Sequence, residues 1–183
     1  MRERARSVVL GVSRLARGRA DGMAQFSDTP GAFLASLAPL FAFPLVGAFR
    51  LLFSGRVTGA LLVLLASCVA LLAPPVLSHA LARLWGREAA WPRYATAFNW
   101  CHWATLIAAM ALLLVLQPTA AGGPASGGVF VLAFSVYTLW LQAFLARHGL
   151  DVSWPRALAV VLVTNAGSAL LVFGPLRLAG GAP

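Results

Sequence analysis

Five long apolar stretches, separated by short polar segments, dominate the pattern along the chain. A helix needs about 20 apolar residues to cross the ~30 Å hydrocarbon core of a bilayer, and each stretch has about that length. The five stretches are residues 33–53, 57–82, 98–116, 129–146 and 157–176. The pattern predicts an all-α polytopic membrane bundle of five transmembrane helices over residues 33–183, preceded by a basic cytoplasmic segment, residues 1–32.

The segment before the first span has the pattern of an amphipathic helix. The apolar residues that share one face of this helix are Val8, Val9, Val12, Leu15 and Ala16. The residues on the opposite face are Arg6, Ser13, Arg14 and Arg17. We expect an interfacial helix with its apolar face in the headgroup boundary and its arginines on anionic lipid. The alternative is that these arginines only fix the topology.

The composition agrees with a membrane location. Of the 183 residues, 60% are hydrophobic and only 10% are charged, whereas soluble proteins have about 25% charged residues. All 14 basic residues are arginine, and the formal net charge is +9. A strongly basic chain suggests nucleic acid as a partner, but here the charges lie in short runs between apolar spans. We therefore expect the lipid bilayer, and no nucleic acid, as the partner of this charge.

The arginines also predict the orientation of the chain. If the N-terminus is cytoplasmic, eleven arginines lie on the inner side and three on the outer side. Short loops rich in arginine remain in the cytoplasm, so we expect a cytoplasmic N-terminus and, after five spans, a periplasmic C-terminus. The composition, rich in alanine and with arginine as the only basic residue, looks like that of a high-GC bacterial protein. The predicted location is the bacterial inner membrane.

The tripeptide Trp-Pro-Arg occurs twice, each time ahead of a span that follows a cytoplasmic loop. The first copy is Trp91 to Arg93, and the second is Trp154 to Arg156. Tryptophan and arginine anchor helix ends at the headgroup level, and proline is tolerated in the first helical turn. Either two loops met the same interfacial constraint, or spans two and three duplicate spans four and five.

Two histidines suggest a cofactor. His79 lies near the end of the second span, and His102 lies near the start of the third. We expect similar depths for both, so together they could hold a haem iron or the magnesium of a bacteriochlorophyll. The interpretation that we favour is an aromatic belt with hydrogen-bonded histidines at the headgroup level. No cofactor and no metal are expected.

Polar and small residues near the midplane of the last two predicted spans indicate helix packing. Tyr137 lies in the fourth span, and Asn165, Gly167 and Ser168 lie in the fifth. Small residues allow close approach of helices, and polar side chains form interhelical hydrogen bonds in membranes. We interpret these four residues as the contact between spans four and five.

The remaining chemistry is sparse. No acidic residue lies within a predicted span, and no catalytic constellation or phosphate-binding loop is present. Cys68 and Cys101 lack a spacing typical of a disulfide framework or a zinc site. Pro39 and Pro44 in the first span, like the Pro74 pair in the second, remove backbone hydrogen bonds and predict bent helices. Bent helices accompany substrate paths in some transporters.

The layout resembles the Yip-domain membrane proteins, which have five spans after a cytoplasmic N-terminal segment. The other feature behind this comparison is the opening of the third span, Tyr94 to Asn99. The resemblance implies a five-helix membrane fold. Eukaryotic members interact with Rab GTPases, and the bacterial relatives are mostly uncharacterised. The N-terminal segment here is short and basic, unlike the longer acidic segment of eukaryotic members, so we assign no GTPase partner and no functional residue from the family.

Three functions fit these observations. The first is a non-enzymatic bacterial inner-membrane protein that acts through helix–helix contacts, as a membrane organiser or as an accessory subunit of a larger complex. Its partners would be other membrane subunits or further copies of the chain. The second is a small transporter or channel component that uses the bent first two spans. The third is a haem- or pigment-binding membrane subunit with His79 or His102 as a ligand.

Overall fold

The computed structural model describes residues 2–116 and 123–180, and this part of the chain is all-α. Six long helices and two short 3-10 helices follow one another along it. The long helices are α1 Arg2–Leu15, α2 Pro30–Phe53, α3 Val57–Leu84, α4 Trp91–Leu116, α5 Gly123–Gly149 and α6 Trp154–Gly180. The 3-10 helices are Ala20–Gln25, after α1, and Glu88–Ala90, before α4. The all-α prediction is confirmed.

Four of these helices are long and apolar enough to cross a bilayer. They are Pro30–Phe53, Val57–Leu84, Gly128–Gly149 and Trp154–Gly174. The prediction of a multi-pass membrane protein is therefore confirmed. Helix α4, which contains the predicted third span, is 26 residues long but is not among the four.

Local sequence explains where the helices begin and end. The Thr29 side chain accepts a hydrogen bond from the Ala32 amide, 3.3 Å away, and Pro30 occupies the first position of α2. Gly55 has φ +73° in the turn between α2 and α3, which is a conformation that glycine adopts without strain. Helices α2 and α3 each continue through two internal prolines.

The five long helices after α1 contact one another in a closed ring. Its order is α2, α3, α6, α5, α4 and back to α2. Helices α5 and α6 pack along each other, whereas α3 and α4 have little contact. The two hairpins thus pack differently, which disfavours the alternative of an internal duplication and favours the shared interfacial constraint.

Helix α1 and the first 3-10 helix lie at one end of the ring, against α4 and α5. Leu15 is fully buried there, and Val8 and Val12 pack against the same core. Part of the predicted apolar face of α1 therefore contacts protein instead of the headgroup boundary. The physical reason is that α4 and α5 provide an apolar surface at this end. Val9 stays 68% exposed.

Burial is unequal between the two halves of the bundle. The core lies in the half next to α1, with Leu145, Leu150 and Val160 almost completely buried. In the other half the large apolar side chains point outwards: Phe53 is 88% exposed and Leu170 is 71% exposed. Exposed apolar side chains in the spans match the lipid tails that would surround them. Protein packing therefore stabilises mainly one half.

Candidate functional site

A small cleft with several polar side chains lies between α4 and α5. Its volume is about 10 Å³, which is room for one water molecule or one hydroxyl group. The residues that line the cleft are Phe98, Cys101, His102 and Thr105 of α4 and Thr138, Leu141, Gln142 and Leu145 of α5. Two threonines, a histidine and a glutamine thus converge in a segment where polar groups are costly.

Gln142 joins this cleft to the next helix of the ring. The Asn165 Nδ2 group of α6 donates a hydrogen bond to Gln142 Oε1 at 2.7 Å, and a second one to the Val161 carbonyl at 2.8 Å. Three successive helices of the ring therefore contribute to one group of polar side chains. We call His102, Thr105, Thr138, Gln142 and Asn165 the polar cluster.

His102 lies within α4, about three helical turns from its start. Its ring stacks on Phe98, with centroids 6.1 Å apart and planes at 4°. Helix α4 begins at Trp91, seven residues before the predicted span, so His102 lies eleven residues, or about 16 Å, along the helix. His102 and His79 therefore lie at different heights along the bundle, whereas the sequence predicts similar depths for both. Within the described part of the chain, no side chain or backbone group makes a hydrogen bond with the His102 ring.

The other histidine belongs to a different place. His79 Nε2 lies 3.3 Å from Glu88 Oε1, and its ring meets the edge of Trp91 with centroids 4.7 Å apart. His79 is thus level with the start of α4, about three helical turns from His102. The structure does not bring the two histidines together.

The cleft beside His102 is small for a cofactor. The cleft beside His102 has a volume of about 10 Å³, whereas sites for ligands of drug size have roughly 300 Å³ or more. In the residues that the structure describes, no group of three or more histidine, cysteine or acidic side chains could hold a metal ion. We therefore derive no chemistry through haem or bacteriochlorophyll.

The four predicted packing residues make different contacts from one another. Asn165 contacts the fourth span, as predicted, but its partner is Gln142. Tyr137 Oη donates to the Ala16 carbonyl at 2.8 Å, so it holds the N-terminal segment on α5. A Cβ at Gly167 would lie 2.6 Å from Leu77 Cδ1, so this glycine allows close packing of α6 on α3. Ser168 Oγ donates to the Thr164 carbonyl of its own helix.

Two contributors were missed in the sequence. Gln142 has the appearance of an ordinary residue near a helix end, and only its spacing of four from Thr138 indicates a shared polar face. The second is Ser36, whose Oγ accepts a hydrogen bond from Asn99 Nδ2 at 2.9 Å. Both side chains of this bond are almost fully buried. The bond joins α4 to α2, where the ring closes.

The first Trp-Pro-Arg copy is an internal joint. Trp91 Nε1 donates to Ser78 Oγ at 3.1 Å, and its ring lies 5.1 Å from the Phe33 ring. Arg93 forms an ion pair with Asp28 at 3.0 Å. These contacts connect the start of α4 to α3, to α2 and to the segment before α2.

The second copy faces outwards. Trp154 is 41% exposed, and the Arg147 guanidinium lies over its ring at 4.8 Å. The Arg156 guanidinium lies over the Trp85 ring at 5.7 Å. No acidic group in the described residues pairs with Arg147 or Arg156.

The structure brings three arginine-rich segments to one end of the bundle. Arg87, in the loop before α4, pairs with Asp151, in the loop before α6, at 3.3 Å. The N-terminal segment joins the same end through Asp28 and Arg93. We call this the arginine-rich end. The side chains of Arg2, Arg4 and Arg177 lie outside the described residues.

No protein-family model matches the chain, and neither the curated proteins nor the solved structures include a match. The resemblance to Yip-domain proteins stays a prediction from layout. The function must therefore be argued from the polar cluster and the arginine-rich end.

Proposed function

We propose that the chain is a non-enzymatic bacterial inner-membrane protein with five spans, which acts through helix–helix contacts as an accessory subunit of a larger membrane complex. Helix α4 supplies the fifth span in this proposal. At 26 residues it is about 39 Å long, more than the ~30 Å hydrocarbon core. It also lies between α2 and α5 in the ring, and both of those helices are candidate spans.

The arginine-rich end is cytoplasmic in this proposal. Its three segments lie together in the structure, and short arginine-rich loops remain on the inner side. The N-terminus is then cytoplasmic, and the C-terminus is periplasmic after the fifth span. The same end would lie on the anionic lipids of the inner leaflet.

The polar cluster is the observation that supports a partner helix. Hydrogen-bonding side chains in a span are costly in lipid unless another group satisfies them, and such groups hold helices of different chains together. The His102 ring has no hydrogen-bond partner in the described residues, and the cleft beside it admits one hydroxyl-sized group. We propose that a transmembrane helix of another subunit inserts a serine or threonine hydroxyl there.

Mass measurement of the tagged full chain, extracted from its host membrane in mild detergent, tests this proposal. We expect a particle heavier than one chain, with one membrane protein at a fixed ratio. His102→Phe and Gln142→Leu should release that protein, because each removes a polar group of the cleft. Ser135→Ala is the matched control, since the partner of Ser135 Oγ among the described residues is the Val131 carbonyl of its own helix. A monodisperse monomer, or full retention of the partner by His102→Phe, would contradict the proposal.

A second candidate is a small transporter, and the same cluster favours it. Polar side chains that meet inside a span also mark substrate pathways. Liposomes with the purified chain should then pass a small polar solute such as urea or glycerol. His102→Phe should abolish that flux while any co-purifying protein stays bound. Flux equal to that of empty liposomes would count against transport of these solutes.

A further inference from the structure

Several arginines of the arginine-rich end are paired with acidic side chains. Each of the four acidic side chains described there has a basic partner within 3.3 Å. The pairs are Asp21 with Arg14 and Arg19, Asp28 with Arg93, Glu88 with His79, and Asp151 with Arg87. These arginines hold parts of the protein together and are largely neutralised by their partners.

Arg147 and Arg156 have no acidic partner among the described residues and instead stack on tryptophan rings. Their charged groups lie over the rings of Trp154 and Trp85, at 4.8 and 5.7 Å from the ring centroids. A tryptophan ring holds a guanidinium without neutralising its charge, and the planar fork of N–H donors matches the oxygens of a phosphate. Both side chains are therefore positioned cations without a counter-ion among the described residues.

The two stacked pairs lie around the start of one helix. Arg147 is in the last turn of α5, and Trp85 directly follows α3. Helix α6 begins at Trp154 and packs on both α3 and α5. These residues lie at the ends of the apolar spans, which is the depth of lipid headgroups, and tryptophan prefers that depth. We call Trp85, Arg147, Trp154 and Arg156 the stacked-arginine surface.

We propose that the stacked-arginine surface binds anionic phospholipids, with Arg147 and Arg156 each as the ligand of a headgroup phosphate and the two tryptophans as their supports. This proposal depends on the membrane orientation proposed above, but not on the partner helix at the polar cluster. It distinguishes the two Trp-Pro-Arg copies: Arg156 is a lipid ligand, whereas Arg93 is part of an internal joint. The lipid is recognised by its charge, since the surface contains no acidic group among the described residues.

Lipid retention by the purified full chain tests the proposal. The protein in neutral detergent is mixed with phosphatidylglycerol or with phosphatidylcholine of the same acyl chains, and bound lipid is counted by native mass spectrometry. An arginine near an anionic surface strengthens attraction on the order of fivefold. We expect the double variant R147Q/R156Q to lose about 25-fold in its preference for phosphatidylglycerol. The matched control R87Q/R93Q removes the same charge from the same end and should keep the preference.

Three results would overturn the proposal. One is an equal loss of preference in R87Q/R93Q, which would indicate net charge alone. Another is unchanged preference in R147Q/R156Q. The third is displacement of the lipid by an equal concentration of inorganic phosphate, which would indicate a site for free anions. The co-purifying protein is measured in the same samples, and R147Q/R156Q should retain it. The proposal of a partner helix at the polar cluster and the proposal of a lipid site at this surface can therefore fail independently of each other.

Discussion

The two Trp-Pro-Arg copies begin two different helices with the same three residues. The first copy is packed against other helices, whereas the second is exposed. Trp91 is held among His79, Ser78 and Phe33, whereas Trp154 is 41% exposed beside Arg147. The difference arises from neighbours distant in the chain. Helix α4 starts beside α2 and α3, while α6 starts at the outer edge of the arginine-rich end. A local motif therefore specifies a helix start at the interface, and the packing of other helices determines its role.

Alanine at the two tryptophans should separate the roles most strongly. Trp91→Ala removes a half-buried ring and its hydrogen bond to Ser78, so we expect a loss of about 2 to 3 kcal/mol in the free energy of unfolding. Trp154→Ala should cost less than about 1 kcal/mol, because its ring is partly exposed. Unfolding of both variants in the same detergent, followed by circular dichroism, provides the comparison. Equal losses would show that both copies are joints.

A methyl group at Gly149, the last residue of α5, should disturb the contact of this helix end with the N-terminal segment and with α4. A Cβ there would lie 2.7 Å from Met23 Cε and 2.9 Å from Tyr94 Cβ. We expect Gly149→Ala to destabilise the protein by about 2 kcal/mol and to expose the N-terminal segment to protease. Gly47→Ala is the control, since no atom lies within 4 Å of a Cβ there. Similar protease resistance in both variants would contradict the close approach.

The buried bond between Asn99 and Ser36 extends the joint of the first copy into the span. Ser36→Ala removes the acceptor, and we expect a loss of about 1 kcal/mol. In the variant Asn99→Leu, the further change Ser36→Ala should have almost no effect. A double-mutant cycle on thermal unfolding measures this coupling. Additive losses would mean that the bond does not contribute to stability.

The arginines of the two copies should give the smallest difference in stability. Arg93→Gln breaks an exposed ion pair with Asp28, so we expect a loss of about 0.5 kcal/mol that decreases at high salt. Arg156→Gln should leave the midpoint of unfolding in lipid-free detergent nearly unchanged. Measurement at low and at high salt distinguishes the two. A salt-dependent loss for Arg156→Gln would indicate an acidic partner.

The helices could be predicted from the sequence because long apolar runs need no partner to be recognised. The start of α4 at Trp91 agrees with the Trp-Pro-Arg signal, but the burial of Tyr94 and Asn99 could not be predicted, since both look like interfacial residues. The order of the ring was not predictable, because helices that are apolar on every side contain no sign of which neighbour they contact. For the same reason Gly167 of α6 was predicted to contact α5, whereas the structure packs it on α3.

Individual residues of the candidate site could be predicted from the sequence, but the contacts between them could not. From the sequence, His102 was a possible cofactor ligand near the headgroups, and Asn165 was a packing residue near the midplane. Gln142 connects them, and a single glutamine in an apolar run has no pattern that names its partner. The paired and stacked arginines also look alike in the sequence. Their difference depends on whether an acidic or an aromatic side chain of another element lies beside them.

The order of the ring has a consequence for biosynthesis. Helices α3, α2, α4 and α5 form a continuous arc, and α6, which follows them in the chain, fills the gap between α3 and α5. A chain halted at the ribosome before α6 is therefore an open arc in the membrane, with the sides of α3 and α5 still without a neighbour. At that stage a chaperone or a partner helix could occupy the position that α6 later takes.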